Sequence, residues 1–395
     1  MFIFYFLIFF FLVEFIIYVL FRWLKSDFKW LIHINDSFPS FNKNLIKKYN
    51  KYIFDKDLGW DNSKLKKIEN LNSKKVVEYN FDSYGSRVTN NKYKYSKKFI
   101  FGDSYSMSRY SNDNETIQFF IENRLKQKVF NYGVGNYGLD QVFLKIKKKS
   151  LNKCKEVIII FVPETIMRVQ SYWKHFLEFG NILGFKPKFD YENKKLILKK
   201  DHLKKLNFDR TNKIINNLKI RDYFYENKFK KYSFSFPFSI SFIQNFYENS
   251  KIFLNLLLYK FSDNKKFYNK AFNVIISRNI IETQKNYKNI LFSELLKKII
   301  IEINDYLKRR KIKTFFFVVP QYLDLKLFGK KSNSSFYFKK FLKSEKINLF
   351  DLTEDLMKYK KIEELYINDN YGGHLNEIGN KFVAEKIVKK IKKRL

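Results

Sequence analysis

The sequence predicts an α/β domain with a parallel sheet and helices on both faces, preceded by one transmembrane helix and interrupted by an aromatic-rich insertion. Three observations predict this fold class. The first 20 residues are almost all apolar. Short, continuously apolar segments later alternate with amphipathic ones, which is the pattern of parallel strands covered by helices. Between about residues 172 and 288 this alternation blurs and aromatic side chains become dense.

Residues 1–24 are predicted to anchor the chain in a membrane as a single-pass helix. Met1 to Leu20 are apolar or aromatic except for Glu14, and 20 helical residues at about 1.5 Å each cross a hydrocarbon core about 30 Å thick. The basic start and small-residue cleavage site of a signal peptide are missing, which favours an uncleaved anchor. Glu14 would be costly at mid-bilayer, so either it faces a partner helix or it is a tolerated, protonated carboxyl. Basic residues after the helix favour a cytoplasmic body, but lysine is abundant throughout, so the membrane side stays open.

The predicted sheet elements follow the anchor in chain order. Strands are indicated by short apolar runs such as VIIIFV and TFFFVV, and helices by apolar residues on one face, such as Ile117, Ile121 and Leu125. The predicted strands are 98–101, 129–132, 157–162, 314–319 and 347–352. The predicted helices are 115–126, 142–149, 295–307, 336–342 and 377–393.

The chain is therefore divided into five predicted parts. They are the anchor at 1–24, a lead-in segment at 25–95, the first half of the sheet domain at 96–170, an insertion or cap at 171–289, and the second half at 290–395.

Composition argues against several classes of protein. With 45% hydrophobic and 19% aromatic residues, the chain is neither disordered nor collagen-like. The single cysteine, Cys154, excludes an intramolecular disulfide and a cysteine-rich metal site. The net charge is +38, but only 11 of the 77 basic residues are arginine, which a phosphate-binding surface would use more heavily. Lysine, asparagine, phenylalanine and isoleucine are abundant together, as an A/T-rich genome would produce. We expect no nucleic-acid partner, no metal and no cofactor.

Glycine placement indicates where a functional site lies. The chain has 12 glycines, and seven of them fall in three short windows, each of which follows a predicted strand or leads into a helix. The windows contain Gly102; Gly133, Gly135 and Gly138; and Gly372, Gly373 and Gly379. Because open α/β sheets bind ligands outside the carboxyl ends of their strands, we expect the three windows to meet at one site.

Each window has a functional interpretation and an ordinary one. In the first, Gly-Asp-Ser places Ser104 at a strand-to-helix turn with its hydroxyl near backbone donors, although a helix N-cap serine has the same letters. In the second, the amides around Gly135, Asn136 and Gly138 can face an oxyanion, or form a plain turn. The third brings His374 close before a helix, where it is either a functional or a surface histidine.

The order of these blocks resembles the SGNH, or GDSL-type, hydrolases, over about residues 80–169 and 295–393. More narrowly, the segments GW, SYGSR, DNETIQ, NYGVGNYGLDQ and WKHFLEFGNILGFKPKF resemble a membrane-linked subgroup of SGNH proteins. The resemblance implies a flavodoxin-like three-layer α/β/α fold, with Ser104 as nucleophile and His374 as base. Such proteins are esterases, lipases, carbohydrate-ester deacetylases or, in some relatives, acyl transferases.

The first departure from the family pattern is Glu164, which stands where the family has an asparagine that donates to the oxyanion. An ionised carboxylate cannot donate and would oppose the developing negative charge. Three roles are open. Glu164 is a protonated donor, or it is ionised and paired with Arg168 while backbone amides near Ser104 and Asn136 bind the oxyanion, or it disables hydrolysis.

The second departure is Tyr371, which stands where the family has an aspartate three residues before the histidine. The nearby upstream carboxylate is Asp369, five residues before His374. Either Asp369 orients the imidazole by a shifted route, or the site works as a Ser–His dyad.

Two classes of function follow. The first is a serine esterase, or an O-acyltransferase of cell-surface polysaccharide, acting on an acylated glycan or lipid near the membrane. The second is a non-catalytic SGNH-fold protein that binds glycan or assists assembly. The complete set of Ser104, His374 and glycines favours the first class, whereas Glu164 and Tyr371 favour the second.

Overall fold

The computed structural model describes residues 1–27, 41–62, 67–72, 75–94, 97–178, 180–367, 369 and 371–394. The chain forms two compact units. The helical unit comprises Met1–Ile46, Ser171–Phe185 and Leu206–Asn279, and the sheet unit comprises Lys47–Gln170, Lys186–Lys205 and Ile280–Leu395. The helices Lys43–Tyr52 and Lys265–Asn286 include residues of both units.

The sheet unit is built on five parallel strands. They are β1 (Lys98–Gly102), β2 (Val129–Asn131), β3 (Glu156–Phe161), β4 (Lys313–Val318) and β5 (Leu349–Asp351). Their spatial order is β5-β4-β3-β1-β2, and all four neighbouring pairs are parallel. In the opposite direction this is the flavodoxin-like order 2-1-3-4-5, which places the switch point between β1 and β3. The predicted parallel α/β fold is confirmed.

Helices cover this sheet in two layers because alternate strand residues point to opposite faces. On one face Ile100, Ile158 and Phe317 share a buried cluster with the helices Ile117–Leu125 and Glu377–Lys392. The helices of the other layer include Leu139–Lys148, which contacts β1, and Ile290–Lys308, which contacts β4. The remaining helices of the unit are Ser104–Met107, Thr165–Arg168, Tyr322–Leu327, Asn333–Ser344 and Thr353–Met357, with 3-10 turns at Gly329–Lys331 and Ile362–Leu365.

In the part of the chain that the structure describes, three antiparallel hairpins accompany the sheet. They are Phe54–Asp55 with Gly59–Trp60, Lys67–Asn72 with Lys75–Tyr79, and Lys188–Glu192 with Lys195–Lys199. The first two lie in the segment for which the sequence predicted only a lead-in.

The helical unit contains the long apolar helix Phe2–Asp27 and the helices of the aromatic-rich stretch. The latter are Lys174–Leu177, Phe208–Arg221, Lys230–Tyr232, Phe238–Ile243 and Phe246–Ser262, with a π-helical turn at Tyr225–Phe229. A buried cluster joins Phe21 and Leu24 of the long helix to Phe234, Phe253 and Phe272. The dense aromatic residues are therefore a helical core. Residues Phe2–Lys25 are long and apolar enough to cross a membrane.

Some predicted helices begin earlier in the structure, for local reasons. The helix predicted from residue 142 begins at Leu139, because Gly138 has extended backbone and serves as its N-cap. The helix predicted over 295–307 begins at Ile290, because the Asn289 side chain accepts the N–H of Leu291. These caps lie outside the apolar periodicity from which the predictions were made.

Candidate active site

Ser104 lies directly after the first strand of the sheet, where the chain turns into a short helix. β1 ends at Gly102, whose φ is +144°, and a Cβ atom there would lie 1.8 Å from the Ile160 carbonyl oxygen, so only glycine fits. Asp103 caps the helix Ser104–Met107 by accepting a backbone N–H at 2.9 Å. The predicted strand-to-helix turn is present, and its N-cap is Asp103, the residue before the serine.

The second glycine window lies against this turn. A Cβ atom on Gly133 would lie 2.2 Å from the Ser106 hydroxyl, so the two segments are closer than alanine would allow. A Cβ atom on Gly135 would meet nothing within 4 Å, and Asn136 has a φ of +67°. The loop is therefore tightly packed at Gly133 and open at Gly135.

Two backbone N–H groups of this region are available to a ligand. No hydrogen bond within the described part of the chain uses the backbone N–H of Ser104 or of Gly135. The N–H of Gly138 is directed at the Gln141 side chain at 3.4 Å, within the start of the helix Leu139–Lys148. Of the predicted glycine donors, Gly135 is open and Gly138 is engaged.

The hairpin Phe54–Trp60 supports the open part of the loop. The indole of Trp60 donates to the Gly135 carbonyl at 3.1 Å, and the Asn62 amide donates to the Gly133 carbonyl at 2.9 Å. The Tyr137 hydroxyl donates back to the Trp60 carbonyl at 2.5 Å. These contacts hold the Gly133 and Gly135 carbonyls, and with them the peptide planes that carry the N–H groups of Val134 and Asn136.

Glu164 lies just after β3 and is buried in an ion-pair network. Its Oε2 accepts from Arg168 Nη2 at 2.6 Å, and Arg168 Nη1 lies 3.3 Å from both Asp103 Oδ2 and the Tyr137 carbonyl oxygen. Since arginine stays protonated in proteins, this arrangement is that of an ionised carboxylate. It matches the second of the three roles open for Glu164. Arg168 also links the end of β3 to the residue that caps the serine helix.

His374 connects the serine to a carboxylate. Its Nε2 lies 3.0 Å from Ser104 Oγ, and its Nδ1 lies 2.5 Å from Asp369 Oδ2. The imidazole lies near Tyr105, at 5.3 Å between ring centres, and meets the edge of Tyr110 at 5.5 Å. The structure therefore brings the three predicted residues together as a hydrogen-bonded serine, histidine and acid.

The triad and its place in the fold agree with the resemblance found in the sequence. The serine follows the first strand of a 2-1-3-4-5 parallel sheet in a Gly-Asp-Ser turn, and the histidine directly precedes the last helix. This arrangement is similar to that of the SGNH hydrolases, which the sequence motifs resemble. The position where an SGNH hydrolase usually has its acid is occupied by Tyr371, and Asp369 contacts Nδ1 of His374 instead.

Comparison with solved structures finds proteins described as lipolytic proteins, a lipase/acylhydrolase and an acetyl xylan esterase. A lipase/acylhydrolase from Enterococcus faecalis is 13% identical, with 76% of this chain and 97% of that chain aligned at a TM-score of 0.35. The acetyl xylan esterase AlAXEase is 12% identical, with 74% and 98% aligned at 0.35. A member of the lipolytic G-D-S-L family from Veillonella parvula DSM 2008 is 10% identical, with 74% and 96% aligned at 0.34. No family model and no curated protein matches the chain. The resemblance to SGNH hydrolases is carried by the sequence motifs, the strand order and the triad.

The Asp369 carboxylate of this triad is held ionised by its surroundings. Burial alone would raise its pKa, but the charge and hydrogen bond of His374 and the N–H groups of Tyr371 and Gly373 hold the pKa below the usual range. Those two N–H groups lie 2.7 and 3.0 Å from Oδ1. The third glycine window is therefore a carboxylate-binding loop that supplies the charge opposite the imidazole.

Sequence reasoning missed two residues beside the triad. The Tyr105 hydroxyl donates to the Gly373 carbonyl at 2.5 Å, which ties the serine helix to the histidine loop. Asp324 is buried, and burial, with the nearby charge of Glu164, raises its pKa to about 7. Tyr105 directly follows the Gly-Asp-Ser block, and this position could have indicated a role near the site. No sequence signal indicated Asp324. Among the described residues, no group of three or more His, Cys, Asp or Glu side chains is placed to hold a metal ion.

Proposed function

We propose that this chain is a membrane-anchored serine esterase that cleaves acyl esters through an acyl-enzyme on Ser104. The observation that supports it most strongly is the pair of hydrogen bonds from His374, to Ser104 at 3.0 Å and to Asp369 at 2.5 Å. With Asp369 on Nδ1, the neutral imidazole keeps Nε2 as the acceptor. Nε2 then takes the Ser104 proton as Oγ attacks the ester carbonyl.

The negative charge that forms on the carbonyl oxygen needs donors, and backbone groups supply them in this proposal. The N–H groups of Ser104 and Gly135 are unused within the described chain. Donors fixed before the reaction stabilise an oxyanion without reorganisation. Arg168 balances the charge of Glu164, so that this carboxylate opposes the oxyanion less.

The reaction then finishes with His374 as acid and again as base. The imidazolium gives its proton to the departing alcohol oxygen, and the acyl group stays on Ser104. A water molecule loses a proton to Nε2 and attacks the acyl-enzyme. The bond between the acyl group and Ser104 Oγ then breaks, Oγ takes the proton back from Nε2, and the carboxylic acid is released. If a sugar hydroxyl replaced that water, the same steps would transfer the acyl group instead.

The substrate class follows from the anchor helix. The helix Phe2–Lys25 would keep the enzyme at a bilayer surface, where the available acyl esters are those of lipids and of surface glycans. We therefore propose an acylated glycan or lipid as substrate.

The first test compares two neighbouring serines. Full-length protein in detergent is assayed with p-nitrophenyl acetate, and Ser104→Ala is expected to abolish hydrolysis because it removes the nucleophile. The matched control is Ser106→Ala, which removes a hydroxyl that donates only to the Asp103 carbonyl in the same helix. Equal hydrolysis by wild type and Ser104→Ala would contradict the proposal.

The second candidate is a non-catalytic SGNH-fold protein, and the Glu164–Arg168 ion pair favours it, since a carboxylate occupies the family's oxyanion-donor position. Glu164→Asn separates the candidates. If the chain is an esterase, Glu164→Asn should hydrolyse the ester faster than wild type because it supplies an oxyanion donor. The expected gain is up to about 10²-fold, the usual effect of one such donor. The control Glu164→Gln removes the charge but keeps the length. A fall of about 10²-fold in Glu164→Asn would show that Glu164 is itself a donor. No hydrolysis by wild type or by Glu164→Asn would support the non-catalytic candidate.

A further inference from the structure

Glu14 lies near the middle of the apolar helix and is buried. At about 1.5 Å per residue it is about 18 Å from the start and about 17 Å from the end of Phe2–Lys25. Its Oε2 accepts the N–H of Phe238, and its Oε1 accepts the N–H of Ser239 at 3.1 Å and also the Ser239 hydroxyl. If the helix crosses a bilayer, three donors from another segment therefore reach the mid-bilayer level.

The ring contacts of that segment show that it descends and returns along the helix. Phe234 packs on Phe21, near the end of the helix, at 4.4 Å between ring centres. Two residues later Phe236 reaches Phe11 at 6.2 Å, in the first half of the helix. Phe242 is again beside Phe21, at 6.2 Å. The segment thus enters and leaves at the same end of the apolar helix.

The composition of this segment is unusual for the chain. Charged residues make up 29% of the whole sequence, yet none occurs between Lys231 and Glu248. As one helix these 16 residues would reach about 24 Å, which is too short for a hydrocarbon core of about 30 Å. Length and composition suit an apolar turn within a bilayer better than a second crossing.

The outer side of the segment is apolar and continues the exposed face of the helix. Phe236, Ile240 and Ile243 are 55%, 52% and 65% exposed, and the neighbouring Phe11 and Phe15 are 56% and 64% exposed. A continuous apolar surface of this kind marks an interaction site. Because it is continuous with the surface that the anchor would present to lipid, acyl chains are the occupant that fits it.

The segment also satisfies part of its backbone internally, as hydrocarbon requires. Residues 238–243 are helical, and the N–H groups of Phe238 and Ser239 bind Glu14. The Ser241 hydroxyl donates to the Ser235 carbonyl at 2.9 Å, and its oxygen lies 3.3 Å from the Ser235 N–H. Pro237 has no N–H to satisfy.

We propose that residues 234–243 are a re-entrant segment that enters the lipid bilayer beside the anchor helix and is fixed there by Glu14. The proposal rests on the membrane anchoring proposed above. In this proposal Glu14 has a structural role, because its carboxyl oxygens accept the N–H groups at the tip of the re-entrant turn. It also enlarges the membrane-embedded surface beyond one helix.

The test measures the depth of nitroxide labels in full-length protein reconstituted into phosphatidylcholine vesicles. Single cysteines replace Phe236, Ile240, Phe11 or Tyr84 in a Cys154→Ser background, and power saturation reports access to oxygen and to a water-soluble nickel chelate. Labels at 236 and 240 are expected to match the label at 11, with high oxygen and low nickel access. Tyr84, exposed in the sheet unit, is the aqueous control and should show the reverse.

The outcomes separate the two proposals. If position 11 is in hydrocarbon but 236 and 240 are open to nickel, the re-entrant proposal is wrong and the anchor stands. Low access to both reagents at 236 and 240 would mean a protein contact and would also overturn it. If position 11 itself is open to nickel, the anchor proposal fails, and the re-entrant proposal with it.

The role of Glu14 is tested by a matched pair in the same assay. Glu14→Gln keeps an acceptor oxygen, and the label at 240 should stay in hydrocarbon. Glu14→Leu leaves the donors of Phe238 and Ser239 without their acceptor, and nickel access at 240 should rise. Equal depth in Glu14→Gln and Glu14→Leu would contradict the role of Glu14.

Discussion

His374 receives its carboxylate from five residues upstream, and the loop between the two residues explains how. Gly372 and Gly373 have φ values of +92° and +90°. These values let the chain fold back so that the Asp369 carboxylate reaches Nδ1 of His374. The Ile367 N–H donates to the His374 carbonyl at 2.7 Å and closes the loop. The two glycines thus replace the spacing of the family motif with a different turn that reaches the same ring nitrogen.

Asp369→Asn should lower the turnover number for a small ester by about 10³- to 10⁴-fold. The amide cannot stabilise the imidazolium, and it permits the wrong tautomer of His374. The comparison is Tyr371→Phe, which changes the residue at the family's acid position and should retain most activity. A loss below about threefold in Asp369→Asn would indicate a dyad, with Asp369 serving only the loop.

At the scale of single residues, sequence predicted what short motifs contain. Ser104 and His374 follow from their blocks, and Asp369 follows because it is the nearby carboxylate upstream. The sequence could not show that the backbone N–H of Gly135 is available while that of Gly138 is hydrogen-bonded, because both residues lie in one glycine-rich segment. Asp324 comes close to Glu164 only through tertiary packing.

At the scale of elements, the long N-terminal helix has two kinds of surface. Its first half is exposed and apolar, whereas Phe21 and Leu24 near its end are buried in the helical unit. A hydropathy pattern does not distinguish these, since both halves read as continuously apolar. The end of the predicted anchor is therefore also protein core.

This division predicts unequal effects for two phenylalanines of one helix. Phe21→Ala should lower the free energy of unfolding by about 3–5 kcal/mol, because it leaves a cavity among Phe234, Phe238 and Phe253. Phe11→Ala, on the exposed half, should change stability by less than about 1 kcal/mol in detergent. Chemical denaturation of the full-length protein in micelles measures both. Equal losses would mean that the helix end is not part of a packed core.

The Trp60 hairpin, Phe54–Asp55 with Gly59–Trp60, is one of the elements that the sequence did not predict. Its strands have two residues each, which is too short for an alternating pattern to be recognised. Its effect is nevertheless local to the proposed oxyanion loop, through the 3.1 Å contact of Trp60 with Gly135.

At the scale of the whole molecule, the sheet was predictable because its strands are buried on both faces and therefore read as unbroken apolar runs. The helical unit was less predictable, because aromatic residues there occupy several helix faces around one core. Helical periodicity is lost when more than one face is apolar.

The buried carboxyl of Asp324 predicts how stability changes with pH. Its pKa is about 7 in the folded protein and near 4 when unfolded, so between these values the folded state binds more protons. The contribution of this carboxyl to the free energy of unfolding is largest below about pH 4. It falls as the pH rises to about 7, by up to about 4 kcal/mol. Asp324→Asn removes this slope and keeps an acceptor for the Gln321 N–H.

Denaturation midpoints in detergent at pH 5 and pH 8 test this point. The stability of Asp324→Asn relative to that of wild type should be greater at pH 8 than at pH 5. Parallel pH profiles for the two proteins would show that Asp324 does not titrate as its burial predicts.

Covalent labelling tests whether Ser104 is a nucleophile activated by His374. Full-length protein in detergent is treated with a fluorophosphonate, which reacts with activated serines, and the modified peptide is identified by mass spectrometry. We predict one adduct, on Ser104, that is lost in His374→Ala and retained in Ser106→Ala. An adduct on another residue, or an unlabelled Ser104 in the folded wild-type protein, would contradict the proposed role of Ser104.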